Sequence, residues 1–146
     1  MQKEKTIDHA LRATWQAVAK TYSEQAARYD STMAMAMALL YIDFENGSSS
    51  TSLGPSMGME ATSLSRTLKS LEERGLITRE KNPNDGRGVI VKLTEEGMEK
   101  REISKQSVNR FNQAIRDRID NKKIDHFFEV TEVINELINE RSIFTD

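Results

Sequence analysis

Leu53 to Leu93 reads LGPSMGMEATSLSRTLKSLEERGLITREKNPNDGRGVIVKL. Its punctuation predicts a short helix, a tight turn, a longer helix and then a two-stranded hairpin with a polar, glycine-containing tip. Placed at 3.6 residues per turn from Met59 to Arg74, Leu64, Leu68 and Leu71 stack with Ala61 on one stripe that suits a core. The opposite stripe is Thr62, Arg66, Lys69 and Glu73, flanked by Ser63 and Ser70 on one side and Ser65 on the other. Short hydroxyls with two cations and one distant anion suit a major groove, where hydroxyls reach phosphates or base edges and arginine forks onto guanine. The same composition also describes a solvated helix face, and the helix alone does not separate the two.

Its neighbours do. Gly58 sits where two helices meet steeply and a positive φ is useful. Glu72-Glu73-Arg74-Gly75-Leu76-Ile77 ends the longer helix with a glycine and a hydrophobic residue just beyond it. Ile77 to Glu80 and Val89 to Leu93 read as strands, the second alternating Val89, Val91, Leu93 against Ile90 and Lys92. Turn formers from Asn82 to Gly88 join them. Helix, turn, helix, hairpin is the order of a winged helix-turn-helix. Pro55 stands near the start of the first of these helices, and a cap at Thr51 or Ser52 would place it in a first turn that tolerates it.

Thr62 with Ser65-Arg66, Leu71-Glu72, Gly75-Leu76-Ile77, Asp85-Gly86-Arg87 and Leu93-Thr94-Glu95-Glu96-Gly97 resemble, in order and spacing, the signature of the MarR (multiple antibiotic resistance regulator) family. Each piece is unspecific alone; together they are specific. The resemblance implies a mainly α fold with a small β-hairpin wing, a winged helix-turn-helix carried between N- and C-terminal helical dimerisation arms. It implies a homodimer on a palindromic double-stranded DNA operator, and a transcriptional regulator, most simply a repressor. Arg66 would then make the chief base contact, Lys69 and Ser70 phosphate contacts, Thr62, Ser63 and Ser65 mixed contacts, and Arg87 a minor-groove contact. Asp85 would orient the wing by pairing with an arginine. Members of the family often bind small aromatic or phenolic effectors between arms and winged domain, and Trp15, Tyr22, Met33, Met37 and Tyr41 would supply walls here. A reading from another class, a winged-helix interaction or ligand-binding module without DNA binding, would show an acidic or apolar face in place of Thr62, Arg66 and Lys69.

Composition agrees with a small reading head on arms. The 146 residues are 37% apolar and 30% charged, with a net charge of −2. Between Leu53 and Leu93 seven basic residues face five acidic ones, a balance of +2; the remainder holds fourteen against eighteen, or −4. That asymmetry fits a sequence-specific binder that does not adhere to every phosphate. With no cysteine, disulfides, thiolate zinc sites and thiol redox sensing are excluded. The two histidines, His9 and His126, lack metal-ligand spacing, and no phosphate loop or nucleophile elbow is present, so neither an enzyme nor a cofactor is expected. No leader precedes the first helix, and the longest apolar run, Met33 to Ile42, is too short to span a bilayer, so a cytoplasmic protein is expected.

Three segments follow. Residues 1–30 carry Ile7, Leu11, Trp15, Val18 and Tyr22 at helical spacing, a dimerisation helix in which Trp15 reads as a packing anchor or, alternatively, a ligand-stacking ring. Residues 31–97 form the DNA-binding domain. They open with Met33 to Ile42, a buried helix started by Asp30-Ser31-Thr32, whose methionines fill a core or line a cavity. Glu45 to Ser52 reads as a polar linker and cap. Residues 98–146 supply two more arms, the last with Ile124, Phe127, Phe128, Ile134, Leu137 and Ile138 on a wide apolar face that calls for a second subunit.

Overall fold

Side-chain caps mark where the first two helices begin. The computed structural model describes residues 5–84 and 88–145. The Thr6 hydroxyl accepts from the His9 amide and opens α1 (Ile7–Ala27). Thr32 accepts from the Met35 amide at 3.1 Å and opens α2 (Met33–Tyr41), so the alternating Met-Ala run is helical, as its low content of β-branched residues predicts. Then come β1 (Ser48–Ser49), α3 (Ser50–Met57), α4 (Ala61–Glu73), β2 (Ile77–Lys81), β3 (Val89–Leu93), α5 (Glu95–Arg116) and α6 (Asn121–Asn139).

The first helix of the helix-turn-helix starts earlier than the sequence suggests. Ser49, not Thr51 or Ser52, is its cap, accepting from the Ser52 amide at 3.2 Å. Pro55 therefore lies in the second turn, where it cannot donate to the Thr51 carbonyl. The helix stops two residues on: Gly58 turns left-handed at φ 65 and the Met59 amide closes on the Gly54 carbonyl at 2.9 Å.

The sheet has three antiparallel strands in the order β1-β3-β2. Ile77 pairs with Leu93 and Lys81 with Val89 along the hairpin, while Ser48 faces Val91 across the other edge. β1 lies within the stretch that the sequence presents as a linker. Two serines carry no apolar alternation, so only the pairing reveals the strand.

By its internal packing the chain divides into two units, Met1–Ser107 and Val108–Asp146. In the first, Met35, Ala38, Leu39 and Ile42 of α2, Leu53 and Met57 of α3, and Leu64, Leu68 and Leu71 of α4 form one core with Leu76, Ile77 and Val91. α1 contributes only Ala26 to the fully buried set and leaves Ile7, Leu11 and Trp15 exposed, Trp15 at 55%. In the second unit Ile124 is buried, whereas Phe127, Phe128, Val130, Val133, Leu137 and Ile138 are exposed, with the Phe127 and Phe128 rings 5.7 Å apart.

The start of α5 is joined to the end of α4. Thr94 donates its hydroxyl proton to the Gly75 carbonyl at 2.6 Å and accepts from the Gly97 amide at 3.0 Å, while its own amide donates to Leu76 at 3.1 Å. Gly97 is required by the closeness of this joint, because a Cβ there would lie 2.0 Å from the Leu76 carbonyl oxygen. Gly97→Ala is expected to lower stability by about 1–3 kcal/mol, overriding the ~1 kcal/mol that alanine gains in a helix. Urea unfolding at fixed protein concentration checks this, and a midpoint equal to or above the wild type's would contradict it.

Candidate nucleic-acid interface

Burial of Leu64, Thr67, Leu68 and Leu71 fixes how α4 is rotated. Thr67 sits on the core side because its hydroxyl is satisfied locally, donating to the Ser63 carbonyl at 3.0 Å. Thr62, Ser63, Ser65, Arg66 and Lys69 are then exposed, and Ser70 is half-buried at the edge. Ala61, expected on the core stripe, is exposed as well: it is the first residue of the helix, a full turn before Leu64 enters the core.

Among the described residues no ion pair neutralises the cations on this face. Among the described residues the ion pairs are Arg79 with Glu72 at 2.8 Å and Lys92 with Glu80 at 3.4 Å; neither engages Arg66 or Lys69. Glu60, at the N-cap of α4, makes no side-chain cap hydrogen bond, so no side chain closes the first-turn amides there. The helix thus presents hydroxyls, two unpaired cations and an uncapped N-terminus along one surface, an arrangement that accepts phosphate oxygens and base edges.

The hairpin's first strand is tied to this helix at its start and its middle. Glu72 in the last turn of α4 accepts from Arg79 of β2, and that hydrogen bond, with the charge behind it, holds the Glu72 carboxyl below its ordinary range and raises Arg79. The Ile77 side chain at the start of β2 is buried in the core. Asp85 and Arg87, expected to orient and arm the wing, lie outside the described residues.

The residues expected to wall an effector cleft are distributed over two helices. Trp15 and Tyr41 are exposed, Tyr22 and Met33 are half-buried, and Met37 packs against the core. Burial pushes the Tyr22 phenol above its ordinary value. Met33, Met37 and Tyr41 follow one another at steps of four along α2, and Trp15 and Tyr22 lie two turns apart on α1. No group of three or more His, Asp or Glu that could hold a metal ion occurs among the described residues.

Three contacts in this unit have no sequence signal. Arg74 donates to the Asp30 carbonyl, 44 positions away. Arg101 lies over the Phe44 ring at 4.9 Å from its centroid. Asp43 accepts from the Glu45 and Asn46 amides, which hold its carboxyl below the ordinary range.

The MarR family profile matches residues 32–89, the span from the α2 cap to the second hairpin strand. The HTH-type transcriptional regulator SarZ of Staphylococcus saprophyticus is 28% identical over 130 residues, 84% of this chain and 89% of that protein. Together these matches indicate a MarR-family winged-helix transcriptional regulator. The organic hydroperoxide resistance transcriptional regulator of Bacillus subtilis, 28% identical over 97 residues, covers 66% of each chain. Among solved structures the S. aureus MepR-DNA complex superposes with a TM-score of 0.80 at 18% identity, spanning 92% of this chain and 100% of that one. Apo MarR from E. coli gives 0.73 at 22%, spanning 91% and 98%. Its homologues are regulators, not enzymes.

The Glu72–Arg79 pair joins α4 to the first hairpin strand, and its contribution depends on pH. The folded-state carboxyl titrates below its ordinary 4.5, so the contribution is present above that value and is lost as pH falls through the lower, folded one. Glu72→Gln is expected to match the wild type in urea stability at the acid extreme and to fall slightly below it from about pH 5 upward. A difference of the same size at every pH would contradict the pairing.

Proposed function

We propose that the protein represses transcription by binding a palindromic duplex operator as a homodimer, each α4 entering a major groove. The observation that carries this reading is the outward face of α4, where Arg66 and Lys69 stand among hydroxyls with no carboxylate partner among the described residues, opposite a leucine stripe held in the core. In this reading Arg66 reads guanine, Lys69 and Ser70 meet phosphates, Thr62, Ser63 and Ser65 make mixed contacts, and Arg87, with Asp85 orienting the wing, reaches a minor groove. MepR, solved in complex with DNA, lends support through the likeness of fold.

The exposed apolar residues of α1 and α6 supply the reason for a dimer. Ile7, Leu11 and Trp15 in one unit, and Phe127, Val130, Leu137 and Ile138 in the other, are more apolar surface than a monomer leaves in water. Residues 1–30 and 98–146 therefore serve as dimerisation arms and 31–97 as the DNA-binding domain, working in the cytoplasm, where the operator lies. A small aromatic effector held by Trp15, Tyr22, Met33, Met37 and Tyr41 would release DNA only by favouring an arrangement whose two α4 helices no longer match the groove spacing.

Titrations on a selected operator across salt concentrations test this. Arg66→Ala is expected to weaken binding by roughly 1–3 kcal/mol and to relax base preference at one position of each half-site. Lys69→Ala is expected to weaken all duplexes alike and to reduce the salt slope by about one per subunit. Unchanged binding by both variants would refute the groove assignment.

A further inference from the structure

α1 reaches the core through its C-terminal half alone, where Val18, Ala19, Tyr22 and Gln25 are half-buried and the helix packs on α2. Ala26, near its C-terminal end, is the only α1 residue fully buried. Past that point the chain is tightly folded: the Ser31 amide donates to the Ala26 carbonyl at 3.0 Å and Asp30 adopts a left-handed φ of 54. This is a Schellman-type end in which an aspartate takes the place usually held by glycine, a conformation that aspartate tolerates better than most residues. Thr32 then caps α2 immediately, so a short, well-defined joint separates the arm helix from the core helix.

Arg74 spans from the recognition helix to that joint. It is the C-cap residue of α4, its backbone amide still bonded to the Ser70 carbonyl, and its guanidinium donates through Nη1 to the Asp30 carbonyl. Leu68 and Leu71 already lock α4 against the core that includes α2. What the core does not lock is α1, whose outer half, with Ile7, Leu11 and Trp15, is exposed. The Arg74 bond is placed where a small change of angle is magnified along 21 residues of helix.

We propose that Arg74 is a positioning residue for DNA binding: through the Asp30 carbonyl it sets the angle between α1 and α4, and thereby the half-site separation that the dimer accepts. The inference rests on the operator-binding homodimer proposed above. Arg74 itself reads no base in this account. It acts through the joint, so its removal alters which separations are bound while leaving the sequence of each half-site unchanged. A phosphate contact by the same side chain would behave differently, weakening every duplex and the salt slope together.

The test uses the full-length protein. Wild type first selects its site from a random duplex pool; duplexes carrying the selected half-site twice are then compared as the centre-to-centre separation changes one base pair at a time. Arg74→Ala and Arg74→Gln, both too short to reach Asp30, are expected to reduce the ratio between the best and the neighbouring separations by about threefold or more, or to move the optimum. Arg74→Lys keeps one donor for one carbonyl and is expected to retain the wild-type profile. Because Arg74 is exposed, all three variants are expected to fold, which circular dichroism melts verify, and the glutamine variant carries the test if alanine does not fold. A wild-type separation profile in the folded alanine or glutamine variant overturns the inference, whether or not affinity falls uniformly. Failure of the wild type to select any duplex overturns the DNA reading itself and this inference with it, whereas the Arg66→Ala loss of base preference beside an unchanged Arg74→Ala profile overturns the inference alone.

Discussion

Leu64, Leu68 and Leu71 can enter the core only if the residues half a turn away face outward, and that constraint sets the rotation of α4. Each buried leucine contributes on the order of 1.5–3 kcal/mol, so rotating α4 to hide Arg66 or Lys69 would forfeit several such terms and bury a charge as well. The outward face of α4 is thus fixed by the apolar contacts behind it. A reading surface needs that rigidity, because hydrogen bonds to base edges tolerate little angular error.

The ends of the helix are held as firmly as its middle. At the N-terminal end the α3 turn closes from Met59 to Gly54, and a Cβ on Gly54 would come within 3.2 Å of the Met59 carbonyl oxygen, so α3 and the entry to α4 are in close contact. At the C-terminal end three bonds converge: Thr94 on the Gly75 carbonyl, Arg79 on Glu72, and Arg74 on the Asp30 carbonyl. They link the same turn to α5, to the wing strand and to the end of α1. Within Met1–Ser107 the outward-facing helix α4 and the helix that carries the exposed Ile7, Leu11 and Trp15 therefore meet at one place.

Most of this was legible in the sequence wherever the signal was periodic or local. The leucine spacing gave the rotation of α4, Thr32 and Thr94 announced helix starts, and Gly75 marked the end of α4. Misreadings arose where local chemistry was degenerate. Five consecutive hydroxyl residues from Ser48 to Ser52 offer several equivalent caps, and the choice of Ser49 depends on Ser48 and Ser49 pairing with β3, a contact more than forty residues away. Ala61 fitted the apolar stripe but precedes the point at which the helix enters the core. The Arg74 bond could not be read at all, since it joins residues with no shared pattern. The roles of Asp85 and Arg87 still rest on the resemblance of their motif.

Groove occupancy by α4 is tested most directly by methylation interference on the selected operator. Guanine N7 lies on the major-groove floor and adenine N3 in the minor groove, so the two adducts report separately on the two grooves. Guanine N7 methylation is expected to block binding at two symmetry-related positions about one helical turn apart. Binding that tolerates N7 methylation throughout the site, and is blocked only by adenine N3 methylation, would contradict the account.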